Sequence, residues 1–261
     1  MIARAFLLLI SSLGAIAAPV WLSAPVADAP PANQLRVDGN ACGPACLLDA
    51  FRAGSEKWRK SISRIEGKSD SAKIRRIIFD YARRPSALDP RKARWNRRFG
   101  IASPDLVAMA NELRNERWMG TVKQEIFFKK SRERESELLS KVHRTLSKSL
   151  KKGLPPILRI RRVAWRAPKG SSNKSWLMIK PHFIVLTGIP EKITRGATSF
   201  QVTYHDPWGG KKLSGTIQVP DGKTAGMTTL IANFPGSDIG KKLVRRNEPT
   251  CLSLSSAIGL F

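Results

Sequence analysis

Acidic residues are scarce in this chain of 261 residues: 20 Asp and Glu stand against 46 Lys and Arg, a formal net charge of +26. Such a surface attracts anionic polymers, whether nucleic acid, acidic glycan, anionic lipid or cell-wall polymer, and charge alone does not choose among them. Histidine and cysteine are also few, three of each, and they show none of the usual metal-ligand spacings, so neither a metal site nor a cofactor is expected. Beyond the N-terminus no apolar run is long enough to cross a bilayer. What is present is an ordinary 42% of hydrophobic residues, enough to bury a core.

The N-terminus has the layout of a secretory signal peptide over residues 1–29. Arg4 precedes an apolar run from Ala5 to Ala18, and small residues follow, including Ala27-Asp28-Ala29. The rival reading is an uncleaved anchor, with an apolar stretch reaching Leu22 but broken by Pro19. A bacterial protein exported to the periplasm or the medium is the expectation, with no membrane span left once the signal is removed. Three cysteines in an exported chain suggest one disulfide and one free thiol. Cys42 and Cys46 sit one helical turn apart, poor geometry for a bridge, so Cys46 with Cys251 is the better pairing; the alternative is three reduced thiols.

Residues 30–261 read as one domain. Helical spacing predicts helices over 43–53, 71–83, 103–113 and 133–152, with a basic helical insertion around 55–135. Strand-like runs follow over 156–163, 176–189, 199–205, 213–219 and 228–234. Helices first and strands second imply an α+β class. The basic run Arg91 to Arg98 and the pairs Lys129-Lys130 and Lys151-Lys152 read as solvated faces. Trp95 and Phe99 would allow stacking on bases, but nucleic acid is not the favoured partner.

The segment with most chemistry is Asn40-Ala41-Cys42-Gly43-Pro44-Ala45-Cys46. Cys42 stands at a helix start, where backbone N–H groups and the helix dipole stabilise a thiolate. A cysteine nucleophile needs a base and a group that orients the base. His143 lies among Lys141 and Arg144 on a helix and reads as a surface residue; the face of His205 is ambiguous. His182 opens the apolar strand Phe183-Ile184-Val185-Leu186 and is the best candidate base. Asp206 closes the next strand, so a hairpin would bring it beside His182. Trp208 packs near that site or fills the core.

Three boxes in order, Cys42-Gly43-Pro44-Ala45, His182 through Thr187-Gly188-Ile189, and Tyr204-His205-Asp206-Pro207-Trp208-Gly209, resemble those of the peptidase C39-like group of papain-like cysteine peptidases. Leu150 to Leu158 and Ser103-Pro104-Asp105-Leu106 resemble further parts of that group, and the likeness spans residues 33–210. It implies a papain-like α+β fold, with an N-terminal helical part packed on a C-terminal antiparallel sheet. It also implies a thiol peptidase with Cys42, His182 and Asp206 as its triad. The position of the group's oxyanion-binding Gln is Arg36 here, which leaves Gln34 or Asn40 for that role, with Gln34 preferred. The expected function is an exported cysteine hydrolase that cleaves a peptide or related amide in a peptide or protein substrate through a thioester. The alternative is a catalytically inactive, basic papain-like protein that binds an anionic envelope polymer. A third reading is a toxin or effector acting on host proteins.

Overall fold

The structure is a computed structural model and describes residues 20–114 and 116–261. Strand β1 (Trp21–Ser23) leads through a Pro-rich segment to helix α1 (Cys42–Arg52), which begins one residue before the start read from periodicity. Helix α2 (Glu56–Ser63) follows. Helix α3 (Asp70–Ile77) is capped by Ser69, whose Oγ accepts from the Ala72 N–H at 3.2 Å, and runs on as a π-helical turn over Ile78–Ala82. A short hairpin, β2 (Trp95–Asn96) and β3 (Gly100–Ile101), precedes helix α4 (Ser103–Leu113), with Pro104 in its first turn. Strand β4 (Lys123–Ile126) and helix α5 (Glu135–Lys151) complete the first part.

The second part is made of β5 (Ile157–Arg166), β6 (Ser175–Pro190), β7 (Ser199–Asp206), β8 (Lys211–Gln218), β9 (Leu230–Asn233) and β10 (Thr250–Gly259). These six antiparallel strands pair in the order β6-β5-β10-β9-β8-β7, and β7 pairs back onto β6, so the ring is closed. β1 extends β6 beyond the start of β5, and β4 extends β9's edge of β10, giving an eight-stranded sheet. Alternate residues point inward and fill the barrel: Leu158 and Ile160, Ile184 and Leu186, Val202 and Tyr204, Leu252 and Leu254. Register shifts at Arg162/Val163, Leu186/Gly188 and Leu254/Ser256 supply the local bends that closure needs.

The papain-like α+β arrangement expected from the sequence is therefore corrected: the dominant element is a closed barrel, not a sheet with helices packed on it. The decisive strand is β10, which joins β5 to β9 and was not read as a strand. Over Leu252 to Ser255 leucine alternates with serine, and both faces are buried, so the usual contrast between apolar and charged faces is missing.

Two cores result. One is the barrel interior, which continues onto the apolar row of α5. In the other, outward-facing Ile157, Phe183, Val185 and Ile258 pack against α1, α2, α3 and α4. His143 is corrected too. It is buried, with Nε2 2.8 Å from the Pro190 carbonyl and its ring edge-on to Phe200 at 5.1 Å. Residues 1–19 of the expected signal peptide lie outside the described residues. Residues 20–29 pack as part of the fold, with the Ala24 N–H on Thr187 O at 2.7 Å and the Val26 N–H on Ala53 O at 3.0 Å. Among the described residues no helix is long and apolar enough to cross a membrane.

Candidate active site

The site lies on the seam between the two cores. α1 brings Cys42 in its first turn, where backbone N–H groups have no intrahelical acceptor. Gly43 is required there by close approach: a Cβ would sit 2.3 Å from Ile101 Cγ2 of β3. The inward-facing rows of the barrel bring the other two groups. His182 stands two residues before Ile184 on β6, and Asp206 two after Tyr204 on β7, so both face inward near the same end of the barrel.

There, His182 Nε2 lies 2.8 Å from Asp206 Oδ1, and each residue is 1% exposed. Asp206 Oδ1 also accepts the Trp208 N–H at 2.8 Å. With Nε2 committed, Nδ1 is the nitrogen left for the neighbouring Cys42 thiol, whose ionised form His182 favours. Burial pushes the Cys42 thiol up, but the hydrogen bond and charge of His182 outweigh it, helped by the backbone N–H groups of Phe183 and Gly43, and the net shift is downward. Burial likewise works against charge on His182, yet Asp206 and Cys42 together raise it to about 9. The two shifts agree: the arrangement favours a thiolate beside an imidazolium.

The cleft in front of the sulfur has a volume of about 350 Å³ and is lined by Gln34, Asn40, Cys42, Arg159, His182 and Trp208, among others. A larger, more open depression of about 680 Å³ lies between Arg75, Phe79 and Trp95 on the helical layer, with no nucleophile in it.

The structure separates the two candidates for the oxyanion. Asn40 is spent on the neighbouring hairpin: its Nδ2 donates to the Arg98 carbonyl, and its own carbonyl accepts Trp95 Nε1 at 2.8 Å. Gln34 is 3% exposed and lies on a 3-10 turn, Gln34–Arg36, capped by Asn33. Its backbone N–H donates to Pro207 O at 2.9 Å, which docks the turn beside Asp206. The Oε1 of its side chain has no protein partner, and the residue lines the cleft.

The Cys46–Cys251 bridge considered from the sequence is not formed; all three cysteines are free. Cys46 is sealed beneath α1, where burial pushes its thiol well up. Cys251 lies 3.5 Å from Met227 Sδ in a separate cluster, its thiol raised to about 11 by burial. Of the three thiols, only Cys42 is shifted toward ionisation. Among the described residues no three His, Cys, Asp or Glu side chains are grouped to hold a metal.

Sequence reasoning missed a second buried pair. His205 faces out of the barrel toward α1, with Nδ1 3.1 Å from Asp49 Oδ1 and Nε2 3.2 Å from the Ala27 carbonyl. It also missed the Phe183 backbone N–H as one of the groups that favour the Cys42 thiolate, since a backbone group has no side-chain signal. No protein-family model matches the chain, and no curated protein matches it.

Proposed function

We propose that this protein is a cysteine hydrolase acting on a peptide or related amide bond. The observation that carries the reading is the Cys42–His182–Asp206 line, with the thiol shifted toward thiolate at the wall of a cleft. The Cys42 thiolate attacks the carbonyl carbon, forming a C–S bond and a tetrahedral oxyanion. Gln34 and the Cys42 backbone N–H are the donors for that oxyanion. The His182 imidazolium gives its proton to the leaving amine as the C–N bond breaks. Water, deprotonated by His182, then cleaves the thioester to the acid and returns the thiol. Asp206 holds the ring so that Nδ1 faces the sulfur throughout.

The likeness of the three ordered boxes to those of C39-like peptidases supports the same chemistry, although the fold class that likeness implied does not hold. Export and an anionic envelope partner remain part of the proposal, supported by the apolar run Ala5 to Ala18 and the charge of +26, with signal cleavage ahead of residues 20–29, which pack into the fold, rather than after Ala29. The reading of a silent binding protein drew on Arg36 in place of the oxyanion Gln and on the charge of +26; Gln34 on the cleft wall answers the first of these, and the activity test below decides between the readings.

The test is labelling with iodoacetamide at neutral pH, read by peptide mass, beside hydrolysis of a peptide library. Cys42 is expected to react well ahead of Cys46 and Cys251, and Cys42→Ala to abolish hydrolysis. Labelling of Cys42 no faster than a free peptide thiol, or full hydrolysis by Cys42→Ala, would overturn the proposal.

A further inference from the structure

Strand β5 carries four arginines, and the protein satisfies only two of them. Arg162 turns inward and donates from Nε to Ile239 O at 2.8 Å and from Nη2 to Ser237 O at 3.4 Å. Arg166 grips Glu248 through Nε at 2.6 Å and Nη2 at 2.5 Å. Arg159 and Arg161 face outward on the same strand, each with a buried Nε that has no hydrogen-bond partner. Among the described residues neither has a carboxylate within ion-pair distance. A guanidinium half withdrawn from water without an acceptor costs stability; Arg161 has only the face of Phe128, 5.9 Å from the ring centre, and no hydrogen-bond acceptor at Nε.

Their positions relate them to the nucleophile. Arg159 pairs across the ladder with Phe183, which lines the Cys42 cleft, and Arg161 pairs with Pro181, which lines it too. Arg159 lines the Cys42 cleft. Arg161 lines a second depression of about 400 Å³, which shares Met178 with the cleft and continues to Trp165 and Trp176. No Asp or Glu lines either one. The two arginines stand two residues apart on a strand, a pitch of about 7 Å.

We infer that this groove takes an extended acidic peptide segment, with one carboxylate on Arg159 beside the scissile amide and the next on Arg161. Alternate side chains of an extended peptide recur on one face at the same pitch of about 7 Å. A guanidinium fork matches a carboxylate with two parallel hydrogen bonds. Nucleic acid would satisfy the charge but offers no amide to the thiol. The inference rests on the reading of Cys42 as nucleophile, and it is tested by binding so that the two fail separately.

A fluorescent peptide of alternating Glu and Ala is titrated against the full chain, beside its Gln–Ala counterpart, with an oligothymidylate as competitor. The Glu peptide is expected to bind at least about tenfold more tightly, the factor one charge-assisted hydrogen bond supplies. Arg159→Met is expected to remove most of that preference and Arg159→Lys to keep part of it, with thermal melts showing both variants folded. Equal binding of the two peptides overturns the inference. So does a preference unchanged in folded Arg159→Met, or full displacement of the Glu peptide by a tighter oligothymidylate. The iodoacetamide rate of Cys42, measured on the same samples, judges the nucleophile independently.

Discussion

Strand β7 ends in two neighbouring residues, His205 and Asp206, that face opposite sides of the barrel wall and enter two different His–Asp pairs. Inside, Asp206 holds His182, and the free ring nitrogen meets the Cys42 thiol at an open cleft. Outside, His205 spends one nitrogen on Asp49 of α1 and the other on the Ala27 carbonyl. That carbonyl requires a proton on Nε2, and the Nδ1 contact requires one more, on either partner. The outer pair ties α1 and the N-terminal segment to the barrel, and both ring nitrogens of His205 are spent. The acids differ as well. Burial and a histidine oppose each other at both: at Asp49 burial wins and the carboxyl is raised, whereas at Cys42 the histidine wins and the thiol is lowered. The same chemical pair spends both ring nitrogens at the outer site and leaves one facing a thiol at the inner site.

The largest expected difference comes from deleting each histidine. His182→Ala should lower kcat/KM for hydrolysis by about 10²–10⁴-fold, the range supplied by a general acid–base group. His205→Ala should change it by less than about tenfold in the folded fraction, since His205 touches neither cleft nor thiol. Steady-state kinetics on one responsive peptide, with folded protein quantified by circular dichroism, decide the matter. Equal losses in the two folded variants would erase the distinction between the pairs.

Stability should show the reverse ordering. Asp49→Ala leaves His205 buried with no acid partner, and losing one member of a buried pair costs about 3–5 kcal/mol. For a chain of this size that is a fall of about 10 °C in Tm, read by calorimetry. Iodoacetamide labelling of Cys42, measured below the new transition, should stay near the unmodified rate. A melt within about 2 °C of the unmodified protein would show that the outer pair holds nothing together.

The residues Cys42, His182 and Asp206, which the structure brings together, were legible in the sequence, and the frame that holds them was not. Cys42 could be read because a thiol ahead of Gly-Pro and an apolar helix is a local pattern. His182 and Asp206 could be read because one directly precedes the apolar run Phe183 to Leu186 and the other closes the next strand. Closure could not be read, since it depends on β10, whose leucines and serines are buried on both faces and show no amphipathic signal. His205 stayed ambiguous for a related reason: its partner Asp49 lies 156 residues away on the buried side of α1, where an acid among leucines gives no hint of what it faces. Arg159 and Arg161 were visible as the charged face of a strand, but a solvated arginine and one without a partner look the same in one dimension.

The smallest effect, and the sharpest contrast, comes from the same conservative swap at each acid. At the outer pair Asp49→Asn keeps a group that can bond Nδ1, because the amide brings its own proton and His205 can remain neutral with Nε2–H on the Ala27 carbonyl. It also removes a carboxyl that burial penalises. A change within about 1 kcal/mol is therefore expected, the net value of one hydrogen bond. An acid whose folded pKa is raised loses its stabilising contribution as pH climbs from its unfolded value, 3.8, through the folded one. The unmodified protein should thus lose stability relative to Asp49→Asn over that window, read as urea midpoints against pH. At the inner pair the swap removes the charge that helps raise His182 to about 9. The imidazolium then titrates lower, and the alkaline limb of the Cys42 alkylation profile should move to lower pH in Asp206→Asn. If Asp49→Asn moved that limb as far, both pairs would be electrostatically coupled to the thiol, and the separation between tether and reactive site would fail.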